Sequence, residues 1–218
     1  MDNYMLKKVN IPKPIPEIIN HVADIANRDD IPEGVVFLSN TLDWKKIIPP
    51  HKYNIIKQKI FHSNLLTKLI REQYGSYLKD HRLNPYIAIF ENTDRSSMAR
   101  YLPHTDPRRM IGFNYYLNYG GNNTTLSVYN ESNWEENSTI KDWDELTLIK
   151  SYTLNPETWY SFDSKRFHSV ENIETKRILI SMSPASPIPI PGNPPEYDRA
   201  LDSFEAITKK YSELFADL

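Results

Sequence analysis

His104 and Asp106 stand two apart in Tyr101-Leu102-Pro103-His104-Thr105-Asp106, and a further histidine, His168, lies well downstream. Side chains on an extended segment alternate with a period of two, so His104 and Asp106 project to the same side. An imidazole and a carboxylate placed that way can reach one metal ion. A second imidazole from His168 would complete three ligands on one face of an octahedral ion and leave its other positions open. The same residues also fit a plainer arrangement, in which His104 caps the turn at Asp106-Pro107 and His168 is a buried histidine bonded to backbone; the spacing leaves both readings open. His21, His51, His62 and His81 lie in or beside polar stretches and read as solvated or capping residues.

The hydrophobic pattern sets the strands and helices around these residues. After Asn84-Pro85 the apolar period changes from 3.6 to two, with strands expected at 86–91, 100–106, 110–118, 124–129, 147–154, 158–162, 167–172 and 177–183. Short strands in that number, separated by Gly, Asn, Pro and Asp-rich turns, point to a jelly roll or small barrel. Upstream, 11–16 is a proline-rich extended lead-in and 17–28 has helical spacing. The run 34–38 fits a short strand and 40–50 is turn-rich. Residues 52–78 fit one or two amphipathic helices, with Ser63 as an N-cap and Gly75 as a stop. Downstream, 183–195 is a proline-crowded crossing and 197–214 a closing helix. The chain therefore reads as a single domain over 1–218, mainly β with flanking helices: a helical N-terminal support over 1–84, a β core over 85–183, and a crossing plus C-terminal helix over 184–218.

Composition narrows the function. A chain of 218 residues can bury a substantial core, and a formal charge of −2 with a pI near 6.3 gives no basic field for nucleic acid or anionic membrane. Small molecules or peptides are the expected partners; oligomeric state is not legible. The absence of cysteine excludes disulfides, thiolate ligands and a cysteine nucleophile, so a metal would be held by His, Asp, Glu or water. With no apolar leader and no spanning stretch, a cytoplasmic protein is expected, and the Asn-x-Ser/Thr triplets at Asn122, Asn123, Asn130 and Asn137 read as loop residues.

Two of the expected strands are sorted by period two into an apolar and a polar face. In 177–183, Ile178, Ile180 and Met182 share one face, while Arg177, Leu179 and Ser181 share the other. In 110–118, Ile111, Phe113, Tyr115 and Leu117 oppose Gly112, Asn114 and Tyr116. One such strand would be an ordinary half-wet strand. Two of them near a candidate metal group suggest a polar cavity holding Tyr116 and Arg177, and a guanidinium facing inward calls for an anion, best a carboxylate.

On these residues the sequence resembles the Fe(II)- and 2-oxoglutarate-dependent dioxygenases, particularly their prolyl-hydroxylase-like branch. The matching pieces, in the family's order over roughly 85–183, are Tyr101-x-x-His104-x-Asp106, Tyr115-Tyr116-Leu117-Asn118, Gly120-Gly121, Leu126-x-x-Tyr129, and His168 followed by Arg177 and Ser181. The resemblance implies a double-stranded β-helix, the cupin-like jelly roll. It also implies iron on His104, Asp106 and His168, the far carboxylate of 2-oxoglutarate on Arg177, and Tyr116, Ser181, Asn114 and Leu126 around the cosubstrate. The implied reaction consumes O2 and 2-oxoglutarate, releases succinate and CO2, and hydroxylates a substrate C–H bond. Peptidyl proline is the substrate the family suggests; a free amino acid or small metabolite, or a non-catalytic cupin-like metal-binding domain, are the alternatives.

Three departures bear on that expectation. Tyr101 has strand parity opposite to His104, which places it outside the cavity unless Pro103 bends the chain. The stretch from Gly121 to Leu126 is longer than the compact motif, and Asp106 stands where halogenating variants carry a small residue. The polar segments 91–100 and 130–141 are candidate lids, and Arg108 and Arg109 either steer an anionic substrate or are ordinary exposed arginines beside a turn.

Overall fold

The computed structural model describes residues 6–38, 57–91, 99–106, 109–133, 141–185 and 203–218. Most of both candidate lids, Arg108, His51, the 40–50 turns and most of the proline-rich crossing lie outside them.

All eight strands expected after residue 84 are present: β4 (Arg82–Glu91), β5 (Ala99–His104), β6 (Ile111–Asn118), β7 (Thr125–Ser132), β8 (Leu148–Tyr152), β9 (Trp159–Asp163), β10 (Arg166–Ile173) and β11 (Arg177–Ala185). Within the larger sheet they run β9-β6-β11-β4; the smaller sheet is β5-β10-β7-β8. Consecutive strands thus cross from sheet to sheet except at the β7–β8 hairpin, and the first strand of the eight lies beside the last. That antiparallel order is the jelly roll, or double-stranded β-helix.

The larger sheet is extended at both edges. β1 (Leu6–Val9) pairs with β9 and with β12 (Phe215–Ala216), while β3 (Lys57–Ser63) pairs with β4 and with β2 (Val35–Leu38). The β3 segment corrects the helical reading of 52–78. Ile56 and Ile60 have helical spacing, but 57–63 takes its conformation from the β4 edge, and the helix begins only after Ser63. There α2 (Asn64–Tyr74) is capped as expected, Ser63 Oγ accepting from the Leu66 N–H at 3.3 Å, with Gly75 at its end. Helix α1 (Pro16–Asn27) starts on a proline, whose missing N–H costs nothing at that position. The closing helix α3 (Phe204–Lys210) is shorter than expected and is capped by Ser203.

Period two sorts the core into two layers. Ile87, Ile89, Ile111, Phe113, Tyr115, Ile180 and Met182 pack outward with Ile18, Val22 and Ile25 of α1 and Leu66, Ile70 and Tyr74 of α2. Ala88, Phe90, Tyr116, Leu126, Val170 and Leu179 pack inward between the sheets. Each fully buried Ile, Leu or Phe contributes roughly 1.5–3 kcal/mol relative to exposure. The helices therefore clamp one face of the larger sheet and leave the other to form the cavity. Among the described residues no helix is long and apolar enough to cross a membrane.

Candidate metal centre

Strands β5 and β10 bring the three singled-out residues together. His104 pairs directly with His168 across these strands, and Asp106 follows two residues past His104. The ligand atoms of His104, Asp106 and His168 all lie within 4.8 Å of one another, the one such group among the described residues. His104 Nε2 is 3.7 Å from Asp106 Oδ1, and His168 Nε2 is 3.8 Å from Oδ2. Each ring is fixed through its other nitrogen: Nδ1 of His104 lies 2.8 Å from the Leu102 carbonyl, and Nδ1 of His168 lies 3.0 Å from the Arg166 carbonyl. A carbonyl only accepts, so Nδ1 carries the proton in both and Nε2 presents its lone pair toward the carboxylate. Asp106 is anchored by its backbone N–H on the Ser164 carbonyl at 2.9 Å and by the Lys165 ammonium on its own carbonyl at 3.0 Å. Two neutral imidazoles and a carboxylate, with their tautomers already set, fit a divalent transition metal.

The protonation states agree. Burial, aided by His168, lowers the His104 pKa to about 3, and burial lowers that of His168. Burial alone would raise Asp106, but Arg109 and the two histidines outweigh it and hold the carboxyl at about 2. Both histidines are thus neutral in the folded metal-free protein at pH values where an unfolded chain begins to protonate them near 6.5. Below that pH the unfolded state binds more protons, so stability present above pH 6.5 is lost progressively as pH falls toward 3, and Asp106 adds loss of the same sign only below 3.8. In chelator-treated protein the thermal midpoint is expected to drop between pH 6.5 and 4. His104→Gln is expected to flatten that slope, and an equal slope in parent and variant would contradict the assignment.

Tyr101 departs from its expected parity. Between the pairs His104–His168 and Tyr101–Val170, β5 advances three residues while β10 advances two. That is a β-bulge, and Pro103, which has no N–H to give a ladder, sits in it. The extra residue turns Tyr101 to the same side as His104. Its ring packs edge-on against His104 at 4.6 Å and Phe90 at 5.3 Å, and its hydroxyl donates to Gln58 Oε1 at 2.7 Å.

Arg109 is not an exposed arginine. Its side chain is 13% exposed; Nε and Nη2 donate to Asp106 Oδ2, the former at 2.7 Å, and Nη1 donates to Ser181 Oγ at 2.7 Å. The guanidinium lies 5.5 Å from the Tyr86 ring and 5.3 Å from that of Phe162. Gly112 makes the room, since a Cβ there would stand 2.7 Å from Phe162 and 3.2 Å from Arg109. Sequence reasoning missed this pairing; the available signal was a glycine on the polar face of 110–118, three residues past an arginine that itself follows Asp106 by three.

Deeper between the sheets lies Arg177, 2% exposed, enclosed by the rings of Tyr116 at 4.8 Å, Tyr119 at 5.0 Å and Phe90 at 5.5 Å. Its Nε and Nη1 are buried without a hydrogen-bond partner, as is Asn114 Oδ1. The Asn114 amide N–H2 donates to the Tyr116 hydroxyl at 3.3 Å. Ser181 shares the inward face with Arg177 and holds Arg109, and Leu126 packs in the same inner layer as Tyr116. Tyr129 sits on the opposite face of β7, its hydroxyl 3.0 Å from Ser169 Oγ. Of the remaining histidines, His21 bonds Ser63 Oγ at 2.7 Å and His81 the Tyr211 hydroxyl at 3.0 Å.

No model of a known protein family matches the chain, and no curated protein matches it. Among solved structures it is similar to a prolyl hydroxylase in complex with a hypoxia inducible factor oxygen degradation domain peptide fragment from Trichoplax adhaerens, at 15% identity and a TM-score of 0.40, over 77% of this chain and 89% of that one. It is also similar to a Pseudomonas putida prolyl-4-hydroxylase, at 14% identity and a TM-score of 0.34, over 78% of this chain and 98% of that one. A third similar structure is procruciferin, the 11S globulin of Brassica napus, at 12% identity and a TM-score of 0.33, over 61% of this chain but only 27% of that one.

Proposed function

We propose that this protein is an Fe(II)- and 2-oxoglutarate-dependent oxygenase that hydroxylates a C–H bond of its substrate. The observation that carries the reading is the juxtaposition, on the inner face of one jelly roll, of a buried two-histidine, one-carboxylate group with a buried guanidinium whose Nε and Nη1 have no partner. Burying an uncompensated cation is costly, and a carboxylate is the partner whose geometry the fork matches. A cosubstrate with one end for a metal and a carboxylate at the other satisfies both groups. When bound, iron and 2-oxoglutarate supply the oxidising chemistry, with O2 consumed and succinate and CO2 released.

The chain's own residues supply placement and exclusion of water. His104 and His168 offer Nε2 because Leu102 and Arg166 hold the protons on Nδ1, and Arg109 donates to Oδ2 of Asp106, which leaves Oδ1, 3.7 Å from His104 Nε2, as the carboxylate oxygen not engaged by the guanidinium. Tyr116, Tyr119 and Phe90 keep Arg177 dry, which strengthens its attraction for an anion. The Asn114 carbonyl oxygen is left to accept from a bound molecule, and the Tyr116 hydroxyl, receiving the Asn114 N–H, is left to donate.

The test is anaerobic addition of Fe(II) and then 2-oxoglutarate to purified protein. A visible metal-to-ligand charge-transfer band that saturates with 2-oxoglutarate is expected, followed by succinate release on admitting O2. Iron binding without the band would leave a metal-binding jelly roll and overturn the oxygenase reading.

A further inference from the structure

Arg109 joins the two sheets at the metal group. Asp106 lies just past β5 of the smaller sheet, whereas Ser181 lies on β11 of the larger one, paired with Tyr86 on one side and Asn114 on the other. The guanidinium spans both: Nε donates to Asp106 Oδ2 at 2.7 Å, Nη2 is in ion-pair contact with the same oxygen, and Nη1 donates to Ser181 Oγ at 2.7 Å. The Tyr86 and Phe162 rings lie 5.5 and 5.3 Å from it, and a Cβ at Gly112 would stand 3.2 Å from its Cζ. Ser181, Tyr86, Phe162 and Gly112 all belong to the larger sheet. Held by these groups, the guanidinium is a fixed partner for Oδ2, and a carboxylate that turned away would forfeit a charge-assisted hydrogen bond together with the ion pair.

The two imidazoles do not choose between the carboxylate oxygens, since His104 Nε2 is 3.7 Å from Oδ1 and His168 Nε2 is 3.8 Å from Oδ2. Carboxylates bind metal ions through one oxygen or through both. The difference decides how much of an octahedral ion stays open. Two imidazole nitrogens and one oxygen leave three positions, enough for a cosubstrate that binds at two points and for O2; a second oxygen leaves two, which the cosubstrate fills by itself. Arg109 makes the two oxygens unlike, because it engages Oδ2.

We propose that Arg109 is a positioning residue that restricts Asp106 to one-oxygen ligation and so keeps a third position of the ion open. This restriction rests on the metal assignment within the oxygenase reading above, and it holds with or without cosubstrate.

Mn(II) is added to protein carrying isotope-labelled aspartate carboxyls, and the metal-induced infrared difference spectrum is recorded, with Asp106→Asn to identify the Asp106 bands. In the parent the antisymmetric and symmetric carboxylate stretches are expected far apart, the signature of one-oxygen binding. In Arg109→Met they are expected to draw together as the second oxygen joins. Water-proton relaxation per bound Mn(II) is then expected to fall by about a third, from three inner-sphere waters to two. A merely loosened site would bind less metal or admit more water, so fewer waters at full Mn(II) occupancy mark the positioning role. The variant is purified with Mn(II) present, since the ion takes over charge compensation that Asp106 has lost. A measurement without any variant follows the Arg109 Nε–H by NMR, which is expected to stay slow to exchange when Zn(II) is bound. Two-oxygen bands in the parent, or unchanged bands and water number in Arg109→Met, would overturn the role. So would loss of Mn(II) binding by folded Arg109→Met, or fast exchange of the Nε–H on Zn(II) binding. The charge-transfer band with Fe(II) and 2-oxoglutarate, recorded on the same preparations, separates the two readings. The band with two-oxygen ligation in the parent removes the role of Arg109 alone, one-oxygen ligation without the band removes the oxygenase reading alone, and no metal-induced Asp106 band removes both.

Discussion

Asp106→Ala is expected to lose Fe(II) affinity by well over 100-fold, because even residues that only orient a ligand cost about 10–100-fold when removed. The same change is expected to destabilise the metal-free protein. Arg109 would keep Ser181 but lose the carboxylate that compensates it, and breaking one side of a buried ion pair costs about 3–5 kcal/mol. For a chain of this size that is a fall in thermal midpoint of roughly 10 °C. The two effects separate in the double variant Asp106→Ala/Arg109→Leu, which removes the stranded cation as well. It should regain most of the lost stability and none of the iron affinity, read by unfolding in chelator and by Fe(II) titration. Undiminished iron binding in Asp106→Ala would remove the carboxylate from the ligand set. A double variant no more stable than the single one would show that Arg109 does not compensate Asp106.

Much of the architecture was legible because it depends on period two. The strands β6 and β11 each alternate strictly, and the side predicted to be polar does face the space between the sheets, with Arg177, Tyr116 and Asn114 on it. His104 and Asp106 could be paired with His168 because few histidines fall in the β region. What was not legible depends on contacts between distant segments. The four residues Leu6–Val9 include two lysines and are a strand only because β9 and β12 flank them. The β3 segment carries apolar residues at helical spacing and is a strand because the β4 edge needs a partner. Tyr101 was misplaced by simple parity because a bulge adds one residue, and Pro103 was the local sign of it.

Arg177→Met is expected to move stability and cosubstrate binding in opposite directions, which sets it apart from an ordinary core substitution. In the cosubstrate-free protein the guanidinium is 2% exposed and two of its nitrogens, Nε and Nη1, have no hydrogen-bond partner, while cation–π contacts of about 0.5–2 kcal/mol each with Tyr116, Tyr119 and Phe90 offset part of its desolvation. An apolar side chain of similar length removes that penalty and keeps contact with the same rings. Replacing buried charge by well-packed apolar groups is commonly neutral or stabilising by about 1–4 kcal/mol. Unfolding of Arg177→Met is therefore expected at an equal or higher midpoint than the parent. With Fe(II) present, 2-oxoglutarate loses a buried charge-assisted pair, a cost of about 2–5 kcal/mol, or roughly 30-fold to several thousand-fold in affinity. Iron affinity itself should be unchanged, because Arg177 touches none of the three ligands. A variant that unfolds earlier and binds 2-oxoglutarate as the parent does would make Arg177 a structural residue and would leave the buried, unpaired guanidinium without the anionic partner on which the cosubstrate assignment depends.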